Sequence, residues 1–501
     1  MAPESLQPEK NFSQGASVLG AKVEDTLPSV QQFAKGAGRL AGTPADVGWR
    51  PFYTSFGNEY LDRQAAIESN ARTYPRRLPL ALKAGRGLRV WDVEGREYID
   101  CLAGAGALAL GHNHSVVVNA IQHALSEDIP FQTLDLATPL KDRFVSELFA
   151  SLPSRFAEQF KIQFCGPSGA DAIEAALKLV KTATGRRGLL AFHGAYHGMT
   201  LGALSVSGES VPKIAIGGLS AEVQFLPFPS EYRCPFGVGG RAGADLGLRY
   251  IESMLDDSNS GVLVPGGMIL EIVQGEGGVN CVPDDWLRAI RRLTQRRGIP
   301  LIIDEVQTGL GRTGRLYAFE HAGIIPDVLV LSKAIGGGLP LAVVLYHRDL
   351  DEWRPGAHAG TFRGNQLAFV AGAETIRYVR EQSLEHNAAE MGRILRTELE
   401  GVAREEPCIG DVRGRGLMIG VEIVDHCVSD ASIGFPLPSP KLAREIQHEC
   451  LRRGLIVELG GRNGAVVRML PPLILNPSDI AAIVDRFGDA VRAAVREALT
   501  A

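Results

Sequence analysis

From about residue 160 onward, short unbroken apolar runs alternate with longer segments whose apolar positions recur every three or four residues. Lys161-Ile162-Gln163-Phe164 predicts a short strand. Gly166-Pro167-Ser168-Gly169 follows it, then a helix with Ile173, Ala176, Leu177 and Val180 on one face. Met268 to Val273 is nearly all apolar and predicts one strand. After it comes a helix that turns Trp286, Leu287, Ile290 and Leu293 inward and stops at Gly298 and Pro300. Leu301-Ile302-Ile303 and Val328-Leu329-Val330-Leu331 predict two further strands. Continuous apolar strands separated by amphipathic helices imply a parallel sheet covered on both faces.

The C-terminal pattern differs. Strands are expected over Gly416–Val424, Ile456–Leu459 and Val466–Leu470, and a helix over Leu442–Arg453 stopped by Gly454. Asn476-Pro477 predicts a cap and first turn for a helix bearing Ile480, Val484, Phe487, Val491 and Val495. This is the pattern of a smaller α+β part. The boundaries expected are an N-terminal extension at 1–55, the start of the small domain at 56–110, a large domain at 111–375 and the rest of the small domain at 376–501.

Composition narrows the partners. The 501 residues are 45% hydrophobic and 22% charged with a net charge of −5, and no block of one sign gives nucleic acid or an anionic membrane a reason to bind. The seven cysteines are scattered without a C-x-x-C pair, which argues for reduced thiols in a cytoplasmic protein rather than disulfides or a zinc site. The first residues have neither a basic flank nor an apolar core, so they do not read as a secretory signal, and no apolar run is long enough to span a bilayer.

Three features fall at strand ends, where open α/β sheets bind ligands. Pro167-Ser168-Gly169-Ala170-Asp171 can offer bare N–H groups at a helix start to an anion, or be a plain cap. Asp304-Glu305 closes the run Leu301–Ile303, and an acid there needs a partner. Lys333 follows an apolar strand and precedes Gly336-Gly337-Gly338, which suggests backbone closely approached by a ligand. Asp304 and Lys333 are 29 positions apart, about one strand–helix–strand unit, so both are expected at one sheet edge. A carboxylate, a lysine and a phosphate cradle at one edge match the needs of pyridoxal phosphate (PLP). Gly309-Leu310-Gly311-Arg312-Thr313-Gly314 fits the dinucleotide pattern G-x-G-x-x-G, but no acid stands at the end of the next strand, so it is set aside. His193 and His197 are four apart, yet the surrounding glycines and lack of a third ligand argue against a metal.

The stretch LIIDEVQTGLGRTGRLYAFEHAGIIPDVLVLSKAIGGGLP, residues 301–340, resembles the signature of class III PLP-dependent aminotransferases, and the likeness runs over roughly 60–500. That resemblance implies PLP fold type I: a mainly parallel seven-stranded sheet covered by helices, plus a smaller α+β domain. It implies that Lys333 is the Schiff-base lysine and Asp304 the acid at the ring nitrogen. Gln307 would bond the ring hydroxyl, Gly169 and Ala170 would cradle the phosphate, and Tyr196 would stack on the ring with His197 beside it. Thr361, in His358-Ala359-Gly360-Thr361-Phe362-Arg363-Gly364-Asn365, would reach the phosphate from a partner subunit, implying a homodimer with active sites at its interface.

The resemblance further implies a gate. Glu276 neutralises Arg468 while an ω-amino donor reacts, then releases it to the carboxylate of 2-oxoglutarate; a static salt bridge is the alternative. Met199, Ala105 and Arg363-Gly364-Asn365-Gln366 depart from the ornithine and 4-aminobutyrate members. With FCGPSGADAIEAALKLVKTATGR (164–186) and ESNARTYPRRLPLALK (68–83), they look most like members acting on L-2,4-diaminobutyrate and 2-oxoglutarate. Arg363 is then expected to hold the donor's carboxylate. Another ω-amino acid (ornithine, lysine or 4-aminobutyrate) and a PLP decarboxylase or aminomutase remain the alternatives.

Overall fold

The apolar runs assemble into one seven-stranded sheet. In chain order its strands are β1 (Phe160–Phe164), β2 (Leu189–Phe192), β3 (Val223–Leu226), β4 (Gly267–Leu270), β5 (Leu301–Asp304), β6 (Val328–Leu331) and β7 (Val343–His347). Their spatial order is β1-β7-β6-β5-β4-β2-β3. Only β7 runs against the rest; β6, β5, β4, β2 and β3 pair in parallel. The mainly parallel seven-stranded sheet expected from the sequence is therefore present. The computed structural model describes residues 58–214, 216–220, 222–429 and 435–500, so the expected extension over 1–55 lies outside the described residues.

Each central strand feeds two cores. Leu301 and Ile303 of β5, with Leu329 and Leu331 of β6, point into one core, which also holds Trp286, Leu287, Ile290 and Leu293 from the helix Asp284–Arg297. Ile302, Val328 and Val330 point into the other, packed under the helix Gly169–Thr184 through Ile173, Ala176, Leu177 and Val180. Alternation across the pleat is what demands apolar residues at every position.

The remaining strands form smaller sheets. Leu82–Arg86, Arg89–Asp92 and Glu97–Asp100 make an antiparallel set, and Leu455–Ile456 joins it in parallel with Glu97–Asp100. N-terminal and C-terminal segments thus complete one another. A second sheet contains Ile409–Arg415, Met418–Ser429, Val466–Met469 and Glu458–Gly460. The helices Pro440–Arg452 and Pro477–Thr500 stand where expected, and Asn476 Oδ1 accepts from the Asp479 N–H at 3.1 Å.

Two expected strands are broken. Met268–Val273 leaves the large sheet after Leu270, and Val273–Gln274 pairs instead with Asn280–Cys281. The cause is Glu271, a buried carboxylate that accepts the N–H groups of Tyr196 (2.9 Å) and Gly275 (3.0 Å). Ile456–Leu459 likewise splits: Ile456 ends one sheet, Val457 crosses, and Glu458 begins the next.

The division at 110/111 falls in a connection, whereas that at 375/376 falls inside the helix Gln366–Glu381. Residues Asn58–Ala501 cluster as one unit. All seven cysteines are free. Among the described residues no helix is long and apolar enough to cross a membrane.

Candidate active site

Strands β1, β2, β4, β5 and β6 run in one sense, so the segments after them emerge at one edge of the sheet. Those segments carry Gly169 and Ala170, Tyr196 and His197, Glu271 and Glu276, Asp304 and Gln307, and Lys333. The clustering follows from strand direction before any side chain is considered.

At the end of β1 the helix Gly169–Thr184 opens on Ser168, whose Oγ accepts from the Asp171 N–H at 3.2 Å. The N–H groups of Gly169 and Ala170 have no acceptor within the helix and suit an anion. A Cβ on Gly169 would lie 3.0 Å from Val306 Cγ1, so glycine keeps this turn close to the loop after β5.

Asp304 is buried at the tip of β5. Its Oδ2 lies 2.7 Å from His197 Nδ1, and its Oδ1 accepts the Val306 N–H at 3.0 Å. His197 is itself buried, with its backbone N–H bonded to Ser207 Oγ. Burial lifts the neighbouring Glu271 to a pKa of about 7; His197 pulls it down and the Asp304 charge pushes it up.

Lys333 follows β6 with φ +51, an uncommon conformation for a side-chain-bearing residue. Burial pushes its ammonium below the ordinary lysine value; Glu276 opposes this, and Arg468 adds to it. The glycines after Lys333 are closely approached by the protein's own atoms. A Cβ on Gly337 (φ +61) would meet Ala371 O at 2.6 Å, one on Gly338 would meet Leu108 Cδ2 at 2.8 Å, and one on Gly336 would meet Leu341 Cβ at 3.2 Å. These glycines admit the protein's own helix and side chains.

Gln307 donates to Ala105 O at 3.2 Å, and its Oε1 lies 3.4 Å from Arg468 Nη1. Arg468 is completely buried in the strand Val466–Met469. Its Nη2 donates to Glu276 Oε1 and to Glu458 Oε2, each at 2.6 Å. Burial works against the charge, yet the two carboxylates hold the guanidinium above its ordinary pKa. Burial, together with the charge of Glu458, raises the pKa of the Tyr74 phenol.

Thr361 and Arg363 lie elsewhere in the single chain. Thr361 is exposed on a short turn beside Phe362, and Arg363 binds Asp135 Oδ2 at 2.6 Å and His358 O at 3.1 Å. The structure brings together Lys333, Gln307, Glu276 and Arg468, but it does not bring Arg363 to them. Among the described residues one group, Cys165, Asp171 and His358, has metal-ligand atoms within 4.8 Å. There Asp171 Oδ2 already accepts from Gly166 N and lies 3.0 Å from His358 Nε2, while burial pushes the Cys165 thiol up. Sequence reasoning passed over Glu271, Glu458 and Tyr74. The two glutamates each interrupt an aliphatic run, which was the available signal.

Comparison with known proteins decides the family. The family model described as aminotransferase class-III matches residues 70–491. The chain belongs to the class III aminotransferases. Within them it is 57% identical over 421 residues to a diaminobutyrate--2-oxoglutarate aminotransferase of Rhizobium meliloti (strain 1021), covering 84% of this chain and 90% of that one. It is 50% identical over 432 residues to the protein of the same name from Haemophilus influenzae, covering 86% and 94%. Among solved structures, a PLP-bound amine transaminase from an uncultivated Pseudomonas species matches with TM-score 0.76 at 28% identity, over 85% of this chain and 98% of that one. An (S)-enantioselective omega-transaminase from Thermomicrobium roseum matches with TM-score 0.77 at 28% identity, over 87% and 98%. The fold of this aminotransferase is thus fold type I.

The donor set suits PLP. An amine with depressed basicity, a buried acid oriented by a histidine, and a glycine-opened helix start correspond to an aldehyde, a ring nitrogen and a phosphate.

Proposed function

We propose that this aminotransferase uses PLP to move the 4-amino group between L-2,4-diaminobutyrate and 2-oxoglutarate, giving L-aspartate 4-semialdehyde and L-glutamate. The observation that carries the substrate is the 57% identity, over 421 residues, to a relative named for that reaction. PLP, when bound, supplies an aldehyde to hold the amino group and a ring to accept the electron pair of the adjoining carbon.

The chain's own residues do the rest. Lys333 Nζ, made less basic by burial, takes a proton at one carbon and returns it at the other. Asp304, fixed by His197, would keep a proton at the ring nitrogen. The first N–H groups of the helix at Gly169 and Ala170 would hold the phosphate, and Tyr196, on a loop tied down by Glu271, would stack on the ring. Glu276 is one-third exposed while Arg468 is completely buried, so the glutamate is the partner free to turn. In doing so it leaves a guanidinium that grips the acceptor's carboxylate through two N–H groups. The working unit is a homodimer in which the exposed Thr361 reaches the neighbouring subunit's phosphate site; Arg363 reaches a donor only through that same interface.

Glutamate production from 2-oxoglutarate with L-2,4-diaminobutyrate, L-ornithine, L-lysine and 4-aminobutyrate tests this reading. A clear preference for diaminobutyrate supports it, and a preference for another donor overturns the substrate. Carbon dioxide release without glutamate would overturn the reaction itself.

A further inference from the structure

Two segments of the chain that bear phosphate-site residues, the helix start at Gly169 and the turn at Thr361, are joined by one side-chain pair. His358 Nε2 lies 3.0 Å from Asp171 Oδ2. Asp171 stands in the first turn of the helix Gly169–Thr184. Its N–H bonds Ser168 Oγ at 3.2 Å, and its Oδ2 accepts the Gly166 N–H at 2.5 Å, so it shapes the turn that presents Gly169 and Ala170. His358 stands three residues before Thr361, at the entry to the turn Thr361–Gly364.

The anchorage is specific on one side and open on the other. Lys178 Nζ lies 3.4 Å from His358 Nδ1, and an ammonium can only donate, so Nδ1 accepts and Nε2 carries the hydrogen given to Asp171. His358 O accepts from Gln163 Nε2 and from Arg363 Nη1, each at 3.1 Å. Gly360 rests against the cradle loop, since a Cβ there would lie 3.8 Å from Gly166 N. Past these contacts Thr361 is exposed. Gly364 O accepts the Thr133 N–H at 3.2 Å, and Phe131 O accepts the Gln366 N–H at 3.1 Å, so the segment 131–134 runs beside the turn. Phe131, Leu134 and Phe362 are all exposed there, an apolar surface suited to cover by a second copy of the chain.

We propose that His358 is a positioning residue that acts across the dimer: by bonding Asp171 it fixes the turn of its own subunit so that Thr361 meets the neighbouring subunit's phosphate site. The cradle of one active site thereby sets the stance of the residue sent to the other. The inference rests on the proposed homodimer and is independent of which amino donor the enzyme prefers.

The test titrates the cofactor-free full chain with PLP and reads the dissociation constant from the absorbance of the bound cofactor. His358→Ala should weaken binding about 10- to 100-fold, the range of one hydrogen bond to a charged group. His358→Gln, which can still set an N–H against Asp171, should recover most of that loss. Adding His358→Ala to Thr361→Ala should cost nothing further; a full additional loss would place the effect in the subunit's own cradle and overturn the proposal. Mixed dimers give the second readout. With Lys333→Ala in one chain a single live site remains, and glutamate production at limiting PLP is followed with whichever donor the unaltered enzyme prefers. The loss should appear when His358→Ala sits on the Lys333→Ala chain; an equal or greater loss with it on the live chain overturns the proposal. If His358→Ala does not fold, His358→Asn, whose shorter amide stops short of Asp171, takes its place in every arm. A monomeric unaltered protein, or unchanged PLP affinity in Thr361→Ala, would refute the homodimer reading and the inference with it. A dimer in which Thr361→Ala weakens PLP and His358→Ala does not would refute the inference alone.

Discussion

Glu458 and Arg468 stand directly opposite each other on adjacent antiparallel strands, and their 2.6 Å contact is a cross-strand pair. Glu276, the other partner of Arg468, comes from a turn after the short strand Val273–Gln274. One acid is held by sheet register and the other by a loop, so the two differ in freedom.

That difference predicts unequal costs. Glu276→Gln removes a partner that is 34% exposed and leaves Arg468 paired, so stability should change by only about 0–1 kcal/mol. KM for 2-oxoglutarate should fall, because Arg468 is no longer occupied. Arg468→Ala strands Glu458 in the interior and should cost about 3–5 kcal/mol. Urea unfolding of both variants, with KM for 2-oxoglutarate, checks this.

Lys333→Ala should reduce glutamate production by at least about 10²–10⁴-fold, the usual worth of a positioned proton carrier. Burial disfavours the ammonium in the folded chain, so its removal should not lower the melting temperature. A fall of several degrees in the cofactor-free protein would contradict that.

Glu305 gives a pH signature away from the chemistry. It is 1% exposed, accepts the N–H groups of Ala318 and Phe319, and is lifted by burial from 4.5 to about 8. The folded chain keeps this proton up to about pH 8, whereas the unfolded chain gives it up near 4.5. Its contribution is therefore fully present below pH 4.5 and is lost as pH rises through 8. In Glu305→Gln, which cannot ionise, stability relative to the unaltered protein should rise steadily between pH 5 and 8. Denaturation midpoints across that range give the slope, and its sign is the result of interest.

Gly337→Ala should destabilise the fold by about 1–3 kcal/mol, since it adds a side chain at positive φ and a Cβ 2.6 Å from Ala371 O. Donor KM should hardly change, because the neighbour displaced is a helix. Thermal unfolding beside steady-state kinetics distinguishes this from a ligand-facing role.

Lys333 and Asp304 were legible because a charge at the end of an aliphatic run is expensive and so demands a purpose. Glu271 and Glu458 carried the same signal, but each was absorbed into a single strand, Met268–Val273 and Ile456–Leu459. Periodicity cannot reveal that a chain changes sheets between neighbouring apolar residues. Tyr74 left no local signal, since Glu458, whose charge reaches it, is distant in sequence and only the fold brings them near. The glycine run after Lys333 announces a close approach without saying what approaches, and the fold supplies Leu341, Ala371 and Leu108 there.

The crossing at Val457 has a consequence for how this enzyme can vary. A single residue separates the strand bound to Glu97–Asp100 from the strand bound to Val466–Met469. Side chains alternate along a strand, so inserting or deleting one residue here would turn Glu458 outward and set an aliphatic neighbour against Arg468. Substitutions can retune the acid, but the length of this link is fixed: drift in chain length must find its outlets elsewhere.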